Sequence, residues 1–283
     1  MGQTTQIFPK AKKLYKKVLN SPTADRAVRG CLNLSVNLLA AGLGWNFPKK
    51  FDWDWKLEML LHKYEADTFS LFKKNVKPGM TVIDIGAHIG YYTVLFSKLV
   101  GPSGKVFAFE PDAENFALLC KNTNGLKNVS LVNKAVADSD GEITFYKINQ
   151  STGCHSIVTP RLPSQKISVL AIRLDTFLAQ NNIAEVDVIK IDIEGGEPFA
   201  FRGMDELFSK SRELMVVSEF SPKSLINLQI QPENFLKQIQ NYGFSVYRIL
   251  NGGGLEALAV ENLADLEFYK TGYTNLAYLK RTA

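Results

Sequence analysis

The chain has 283 residues, of which 46% are hydrophobic and 22% charged, a composition that fits one globular domain of about 200 residues plus an extension. Its three cysteines are an odd number at wide spacing, so they support neither a disulfide framework nor a thiolate zinc site, and we expect a reducing cytoplasm. The net charge of +5 is uneven: residues 1–50 hold nine Lys or Arg against Asp25 alone, a balance of +8 that leaves −3 for the rest and argues against a nucleic-acid-binding protein.

Residues 10–20 form a basic segment. Five apolar residues fall there at helical spacing, with lysines on the other side: Ala11, Leu14, Tyr15, Val18 and Leu19. Such a helix could make weak peripheral contact with an anionic membrane surface. Because few of these apolar residues are large, we favour a lysine-bearing helix that packs against the body of the protein.

Residues 31–45 are the most apolar run of the chain. The run is too short, and too interrupted by asparagine and serine, to span a bilayer. The long charged segment before it is not typical of a signal peptide. Four apolar residues share one helical face and predict a buried helix of a cap: Leu32, Val36, Leu39 and Leu43.

The segment FDWDWK alternates acidic and aromatic residues over Asp52–Trp55. Carboxylates beside flat rings suit sugar-like ligands, but a loop anchored by its two tryptophans is the favoured interpretation. Residues 56–75 predict two short helices, and the KPG sequence after them predicts a turn. We therefore divide the chain into a basic N-terminal helical extension or cap, residues 1–76, and a second domain, residues 77–283.

Strand and helix patterns alternate regularly through the second domain. Strands are predicted at 80–85, 105–110, 129–136, 187–193, 213–219, 244–249 and 275–280. This pattern predicts an α/β fold with a mostly parallel sheet that helices cover on both faces. Residues 138–172 interrupt the rhythm as an edge insertion with two extra strands, GEITFYKI and KISVLAI, placed to border a ligand.

The stretch over residues 81–93 predicts a strand, a tight turn and a helix, which is the usual place for a nucleotide. Its spacing, Asp84, Gly86 and then Gly90, lacks the G-x-G-x-x-G that a dinucleotide prefers. Glu110 ends the next predicted strand, where its carboxylate can accept both hydroxyls of a ribose. A ribose diol without a phosphate site favours S-adenosylmethionine over a nicotinamide dinucleotide, with Asp84 facing the methionine part.

Four stretches resemble the FkbM family of S-adenosylmethionine-dependent methyltransferases: KPGMTVIDIGAHIGYYT, VFAFEPDAEN, NKAVADSDGEITF and RLDTFLAQNNIAEVDVIKIDIEGGE. The resemblance covers residues 64–280. It implies a Rossmann-like class I methyltransferase fold, with seven strands of which the last is antiparallel. It also implies methyl transfer, most often to a hydroxyl oxygen of a sugar, glycan or natural product. The positions that match the family's cofactor site are Asp84, Gly86, Ala87, Gly90 and Glu110, with Asn133 and Ala135 near the adenine; His88 stands where family members usually carry Asn.

The KIDIEGGE stretch places Asp192 at the end of a predicted strand, with Glu194 and Glu197 close behind. Carboxylates there would lie beside the sulfonium of the cofactor, where they favour its binding and could orient or deprotonate an acceptor hydroxyl. We favour a catalytic role for Asp192. Glu194 and Glu197 could equally cap the helix that follows. A divalent cation on this group is the less favoured interpretation, and we expect no metal.

Of the three histidines, only His155 is a candidate for catalysis, because it lies in the edge insertion and could face the acceptor as a base. His62 is expected to be structural, and His88 to shape the cofactor turn. Two other classes of function stay open at this point: a nicotinamide-dependent oxidoreductase, and a non-catalytic membrane-surface protein with a vestigial cofactor pocket. The sequence leaves the oligomeric state and the identity of the acceptor open.

Overall fold

The structure is a computed structural model, and it describes residues 22–148, 152–160, 162–266, 269 and 272–281. The helices are α1 (Pro22–Gly42), α2 (Trp53–Leu60), α3 (Ala66–Asn75), α4 (Tyr91–Val100), α5 (Ala113–Asn122), α6 (Leu174–Gln180), α7 (Glu197–Arg202), α8 (Asp205–Lys210), α9 (Pro222–Asn227) and α10 (Pro232–Asn241). The strands are β1 (Thr81–Ile85), β2 (Lys105–Phe109), β3 (Val129–Val132), β4 (Ala135–Val136), β5 (Gly141–Ile148), β6 (Ser164–Ile172), β7 (Val188–Ile191), β8 (Leu214–Phe220), β9 (Ser245–Leu250), β10 (Gly254–Ala257) and β11 (Thr274–Lys280). Two short 3₁₀ helices, Asn251–Gly253 and Val260–Asp265, flank β10.

The central sheet has the strand order β10-β9-β11-β8-β7-β1-β2-β3. Neighbours from β8 through β3 pair in parallel, and β11 runs antiparallel to both β8 and β9. The predicted α/β fold with a mostly parallel, Rossmann-like sheet is therefore confirmed. Because the chain order reverses between β1 and β7, the carboxyl ends of these two strands border a crevice, which is where open α/β sheets bind small molecules.

Two details of the predicted sheet are wrong. The sheet has eight strands and not seven, because β9 turns back through Gly252 and Gly253 into the short strand β10. Both glycines have positive φ, at 69° and 78°, which permits the tight turn. The predicted strand at 129–136 is broken after Val132: β3 stays in the central sheet, whereas β4 pairs with β6.

The edge insertion forms a second sheet of three strands, β4-β6-β5. Its two long strands, β5 and β6, correspond to the predicted GEITFYKI and KISVLAI segments and pair antiparallel. The loop between them returns to β5, where Tyr146 and Ser156 exchange two backbone hydrogen bonds. The Ser156 hydroxyl donates to the carbonyl oxygen of Glu194 at 2.9 Å, so the insertion is attached to the loop after β7.

The extension begins with α1, and its predicted buried face is wrong. Leu39 and Leu43 are 46% and 58% exposed, and of the four predicted positions only Val36 is fully buried. The side of α1 that faces α2 carries polar groups in their place. Arg29 lies 2.8 Å from Asp52 in an ion pair, and the Lys56 ammonium donates to the Asn37 side chain at 2.9 Å.

The FDWDWK segment anchors the extension, but as the start of a helix and not as the expected loop, since α2 begins at Trp53. Asp52 caps α2, because its side chain accepts the backbone N–H of Trp53. The ring of Trp55 lies 5.8 Å from that of Tyr64, which in turn packs edge-on against Tyr91 of α4. Among the residues that the structure describes, no helix is long and apolar enough to cross a membrane. The basic segment at residues 10–20 lies outside the described residues.

Candidate active site

A cavity opens at the carboxyl ends of β1, β2 and β7, where open α/β sheets bind their ligands. Its lining includes seven of the residues singled out in the sequence: Gly86, His88, Glu110, Ala135, His155, Asp192 and Glu194. The insertion contributes one wall and Tyr64 of the extension contributes another. The crevice, the glycine turn and the acidic strand ends therefore belong to one site.

Gly86 permits the close approach of the two strand ends. Its φ is +76°, and a Cβ at this position would stand 1.9 Å from the backbone oxygen of Asp192. The next turn residue, His88, also has a positive φ, at 52°. Its backbone N–H donates to the Glu110 carboxylate at 2.9 Å, which fixes the turn to the end of β2.

Glu110 is buried and held from two sides. One carboxylate oxygen accepts the N–H of His88 and the other accepts the N–H of Asp112, both at 2.9 Å. Burial raises the pKa of Glu110 to about 7. Glu110 also bonds to the Asn115 side chain, and because a carboxylate has about four lone-pair positions, it can still accept a hydrogen bond from a ligand hydroxyl.

Four predicted cofactor residues lie behind the lining of the cavity. Gly90 precedes α4 with a φ of +92°, and Ala87 packs against α5. The Asn133 amide donates to the backbone oxygen of Glu110 at 2.7 Å. Asp84 is fully buried, and the Thr93 hydroxyl donates to it at 2.6 Å. These residues shape the site from outside the cavity, and Asp84 does not face it directly.

Lys190 connects Asp84 with Asp192. Its ammonium lies 3.8 Å from an Asp84 oxygen and 3.3 Å from an Asp192 oxygen, and it donates to the Gly86 carbonyl at 3.3 Å. Although burial alone would lower its pKa, these two carboxylates raise the pKa of Lys190 to about 12. A permanent cation thus holds the strand ends and the glycine turn together.

Three carboxylates converge beside the glycine turn. One oxygen each from Asp192, Glu194 and Glu219 lies within 4.8 Å of the others. Burial and the neighbouring Asp192 raise the pKa of Glu194 to about 8, and burial and Glu194 raise that of Glu219 well above its usual range. Such a group can accept protons near neutral pH. These oxygens are also close enough to share a cation, so the expectation of no metal stays a prediction.

Glu197 is the first residue of α7 and is buried. Its carboxylate accepts the backbone N–H of Ile193 at 3.2 Å, just before α7 begins. Burial raises its pKa to about 7.

His155 is buried in the wall that the insertion forms. The backbone N–H of Ile148 donates to its Nδ1 at 3.0 Å, so a neutral ring must carry its proton on Nε2. The Nε2 atom has no hydrogen-bond partner among the residues that the structure describes. Burial lowers the pKa of His155, which keeps the ring neutral. A neutral His155 in this tautomer has no free lone pair with which to accept a proton.

Three residues of this site were not singled out in the sequence: Tyr64, Lys190 and Glu219. Glu219 offered a usable signal, because it lies at the carboxyl end of a predicted strand, as Asp192 does. Lys190 stood inside the KIDIEGGE motif as a cation in an apolar strand. Tyr64 offered none, since its place in the cavity depends on how the extension folds over β1.

The buried carboxyls make a prediction about stability. Glu110 and Glu194 have a pKa of about 7 and 8 in the folded protein, above the ordinary 4.5, so the folded state binds protons more tightly than the unfolded one. The resulting stability is complete below the unfolded pKa and is lost as the pH rises through 7 to 8. We expect the Tm of the unliganded protein, followed by scanning calorimetry, to fall between pH 5 and pH 8 and then to level off. Glu194→Gln should flatten the fall and the exposed-site control Glu185→Gln should not, whereas a Tm that rises over this range would refute the assignment.

A family model described as the methyltransferase FkbM domain matches residues 84–246, which is more than half of the chain. The chain belongs to the FkbM methyltransferase family. This membership favours methyl transfer over the nicotinamide-dependent alternative, and the cofactor of FkbM methyltransferases is S-adenosylmethionine.

Three relatives illustrate the range of this family. The chain is 27% identical over 169 residues to the 2-O-methyltransferase NoeI of Sinorhizobium fredii, covering 54% of this chain and 68% of the relative. It is 28% identical over 161 residues to the 31-O-demethyl-FK506 methyltransferase FkbM of Streptomyces tacrolimicus, covering 46% and 62%. It is 24% identical over 152 residues to the hexuronic acid methyltransferase AglP of Haloferax volcanii, covering 53% and 59%. The chain thus spans between 59% and 68% of the length of these relatives.

Proposed function

We propose that this FkbM methyltransferase methylates a hydroxyl oxygen of a neutral sugar, glycan or natural product. The observation that carries the proposal is the convergence of Asp192, Glu194 and Glu219 beside the glycine turn and Glu110, all at the carboxyl edge of the sheet. When bound, S-adenosylmethionine supplies an electrophilic methyl group on a positively charged sulfur. The chain itself has to bind this cofactor, orient the acceptor and accept its proton.

The cofactor residues fit this assignment. The missing Cβ of Gly86 leaves room at the junction of β1 and β7, where any larger residue would meet backbone. Glu110 keeps lone pairs for a ribose diol, and Ala135 lines the cavity beyond it, where the adenine would lie. His88 holds the turn closed through its N–H. Asp84, Ala87, Gly90 and Asn133 then act as positioning residues behind the cavity.

We assign the base to the carboxylate group rather than to His155. The hydrogen bond from Ile148 occupies the only lone pair that a neutral His155 offers. Glu194, with its pKa raised to about 8, can take a hydroxyl proton and release it near neutral pH. Asp192 follows β7 and lies 3.3 Å from the Lys190 ammonium, which holds its carboxylate in place. Glu219 adds a third oxygen to which an acceptor hydroxyl can donate.

The charge of this group selects against anionic acceptors. Glu65 adds a fourth buried carboxyl near this group. Burial and the neighbouring Asp192 raise the pKa of Glu65. Against these acids stands the buried ammonium of Lys190, which Asp84 and Asp192 already neutralise. In the ionised form in which Glu194 can accept a proton, a carboxylate acceptor would meet like charge there, whereas a neutral hydroxyl finds an acceptor for its proton. The names of two relatives specify O-methylation, and that of a third specifies a hexuronic acid, so the charge of the acceptor is the property to test.

The test uses pairs of acceptors that differ in one carboxylate, namely neutral pyranosides and the matching uronic acids. We expect kcat/KM for the neutral member of a productive pair to exceed that of its acid by about 30-fold, which corresponds to about 2 kcal/mol of like-charge repulsion. Release of S-adenosylhomocysteine and the mass of the product are the readouts. Preferred transfer to the uronic acid, or no transfer to any hydroxyl compound in a broad panel, would contradict the proposal.

A further inference from the structure

Exposed apolar side chains concentrate in the extension. Among the residues that the structure describes, eleven large hydrophobic side chains are exposed, and six of them lie within residues 34–61. Four belong to α1 and the residue just after it: Leu34, Leu38, Leu39 and Leu43, which we call the leucine face. Trp55 and Leu61 are the other two. A cluster of this kind on one element marks a binding surface more often than scattered exposed residues do.

The leucine face is free of charge over several turns. Leu34 and Leu38 are four residues apart, so they lie one above the other, and they are 62% and 66% exposed. From Ala27 to Leu43 the only charged residue is Arg29, and it pairs with Asp25 and Asp52 on the side toward α2. The helix therefore turns its polar side inward and an apolar side outward.

The charge around this face indicates what covers it. Among the described residues, 22–50 carry four Lys or Arg against Asp25 alone, a balance of +3. A second copy of the chain on this face would bring two such basic segments together, and like charges would oppose the contact. A bilayer with anionic headgroups offers both apolar depth for leucines and negative charge for lysines.

We propose that the leucine face docks on the surface of an anionic lipid bilayer. α1 lies in the plane of the interface, with Leu34 and Leu38 below the headgroups and the exposed Lys49 at headgroup level. Its residues are not those of the basic segment at residues 10–20, for which the sequence leaves weak membrane contact as the less favoured interpretation. The proposal does not rest on the methyl acceptor and holds whichever hydroxyl the enzyme methylates.

The experiment is co-sedimentation of the full chain with vesicles of phosphatidylcholine alone and of phosphatidylcholine with phosphatidylglycerol. We expect the wild type to bind the anionic vesicles and to bind the neutral ones far more weakly. The double variant Leu34→Glu with Leu38→Glu should lower the partition into anionic vesicles by about tenfold or more. Because both sites are exposed, the variant should fold, and unchanged binding of S-adenosylhomocysteine provides the check on folding.

The matched control is Leu170→Glu with Ile226→Glu. These two side chains are 51% and 50% exposed on β6 and α9, so the control makes the same change in charge and apolar area elsewhere. This control variant should bind anionic vesicles within about twofold of the level that two added negative charges alone would give. The proposal is overturned if the wild type binds no vesicles or binds both kinds equally, or if both double variants lose binding alike. It is also overturned if light scattering shows that the leucine variant dissolves a dimer while vesicle binding stays unchanged.

Discussion

Asp192→Asn is expected to lower kcat by about 100-fold, within the range for loss of a positioned proton-accepting or orienting group. Asp192 stands at the end of β7 within 4.8 Å of the other two carboxylates, where an acceptor hydroxyl would meet them. Its own N–H is fixed on the carbonyl of Ile85, so the substitution changes charge and leaves the backbone in place. Lys190 retains Asp84 as a partner, and the Tm should stay within about 3 °C of the wild type.

Asp187→Asn provides the control at the opposite end of the same strand. Asp187 accepts the backbone N–H of Thr81 at 2.7 Å and lies far from the carboxyl edge, so this variant should lose stability and keep kcat. Steady-state kinetics with a productive neutral acceptor and thermal unfolding of both variants complete the comparison. If Asp192→Asn turns over like the wild type, or if both variants lose kcat equally, Asp192 has no role in the chemistry.

Gly86→Ala is expected to destabilise the protein by about 4 kcal/mol or more, the range of severe steric conflicts. The new Cβ would stand 1.9 Å from the backbone oxygen of Asp192 and 2.9 Å from its carbonyl carbon. Backbone cannot rotate away as a flexible side chain could, so β1 and β7 would have to separate at the cavity. Binding of S-adenosylhomocysteine should be lost with this separation.

Gly125→Ala separates this clash from the cost of a positive φ. Gly125 has a φ of +83°, close to that of Gly86, but no atom lies within 4 Å of its added Cβ. Its substitution should cost only the left-handed penalty of about 1 kcal/mol and leave ligand binding intact. Urea denaturation measures both free energies of unfolding. Equal losses at the two glycines would show that the approach of Asp192 to Gly86 is not tight.

Most of the central sheet could be predicted from local patterns. Apolar runs such as TVIDI and VIKI have the length and residue types of buried parallel strands, and the glycine turn between strand and helix indicates the carboxyl edge. Strand β10 escaped prediction because its sequence, GLEA, is short and has no alternating β-branched pattern. Its pairing depends on the hairpin at Gly252 and Gly253 rather than on strand propensity.

The extension shows where periodicity misleads. Helical spacing correctly predicted that residues around Leu39 form a helix, but apolar spacing alone assigned its leucines to the core. The contacts of α1 are decided by Arg29 and Asn33, which both reach Asp52, a partner more than eighteen positions away in sequence. Long-range polar pairs of this kind leave no periodic signal, so the exposed leucine face emerged only from the structure.

The candidate site was also predictable only in part. Glu110 and Asp192 were predictable because each follows a strand at the carboxyl edge. The position of His155 was not, because its ring is fixed by the backbone of Ile148 across the insertion. The sequence suggested that His155 acts as a base, whereas the hydrogen bond from Ile148 occupies the lone pair that a base would need. Which carboxylates meet depends on the order of β1, β7 and β8 in the sheet.

Calorimetric titration of the wild-type chain with S-adenosylhomocysteine tests the central claim most directly, since it needs no knowledge of the acceptor. We expect saturable binding of one molecule per chain. Glu110→Ala should weaken this binding at least tenfold, because the ribose hydroxyls lose the carboxylate that accepts their hydrogen bonds. Absence of binding to the wild type, or equal binding to the two proteins, would contradict the assignment of this cavity to the methyl-donor cofactor.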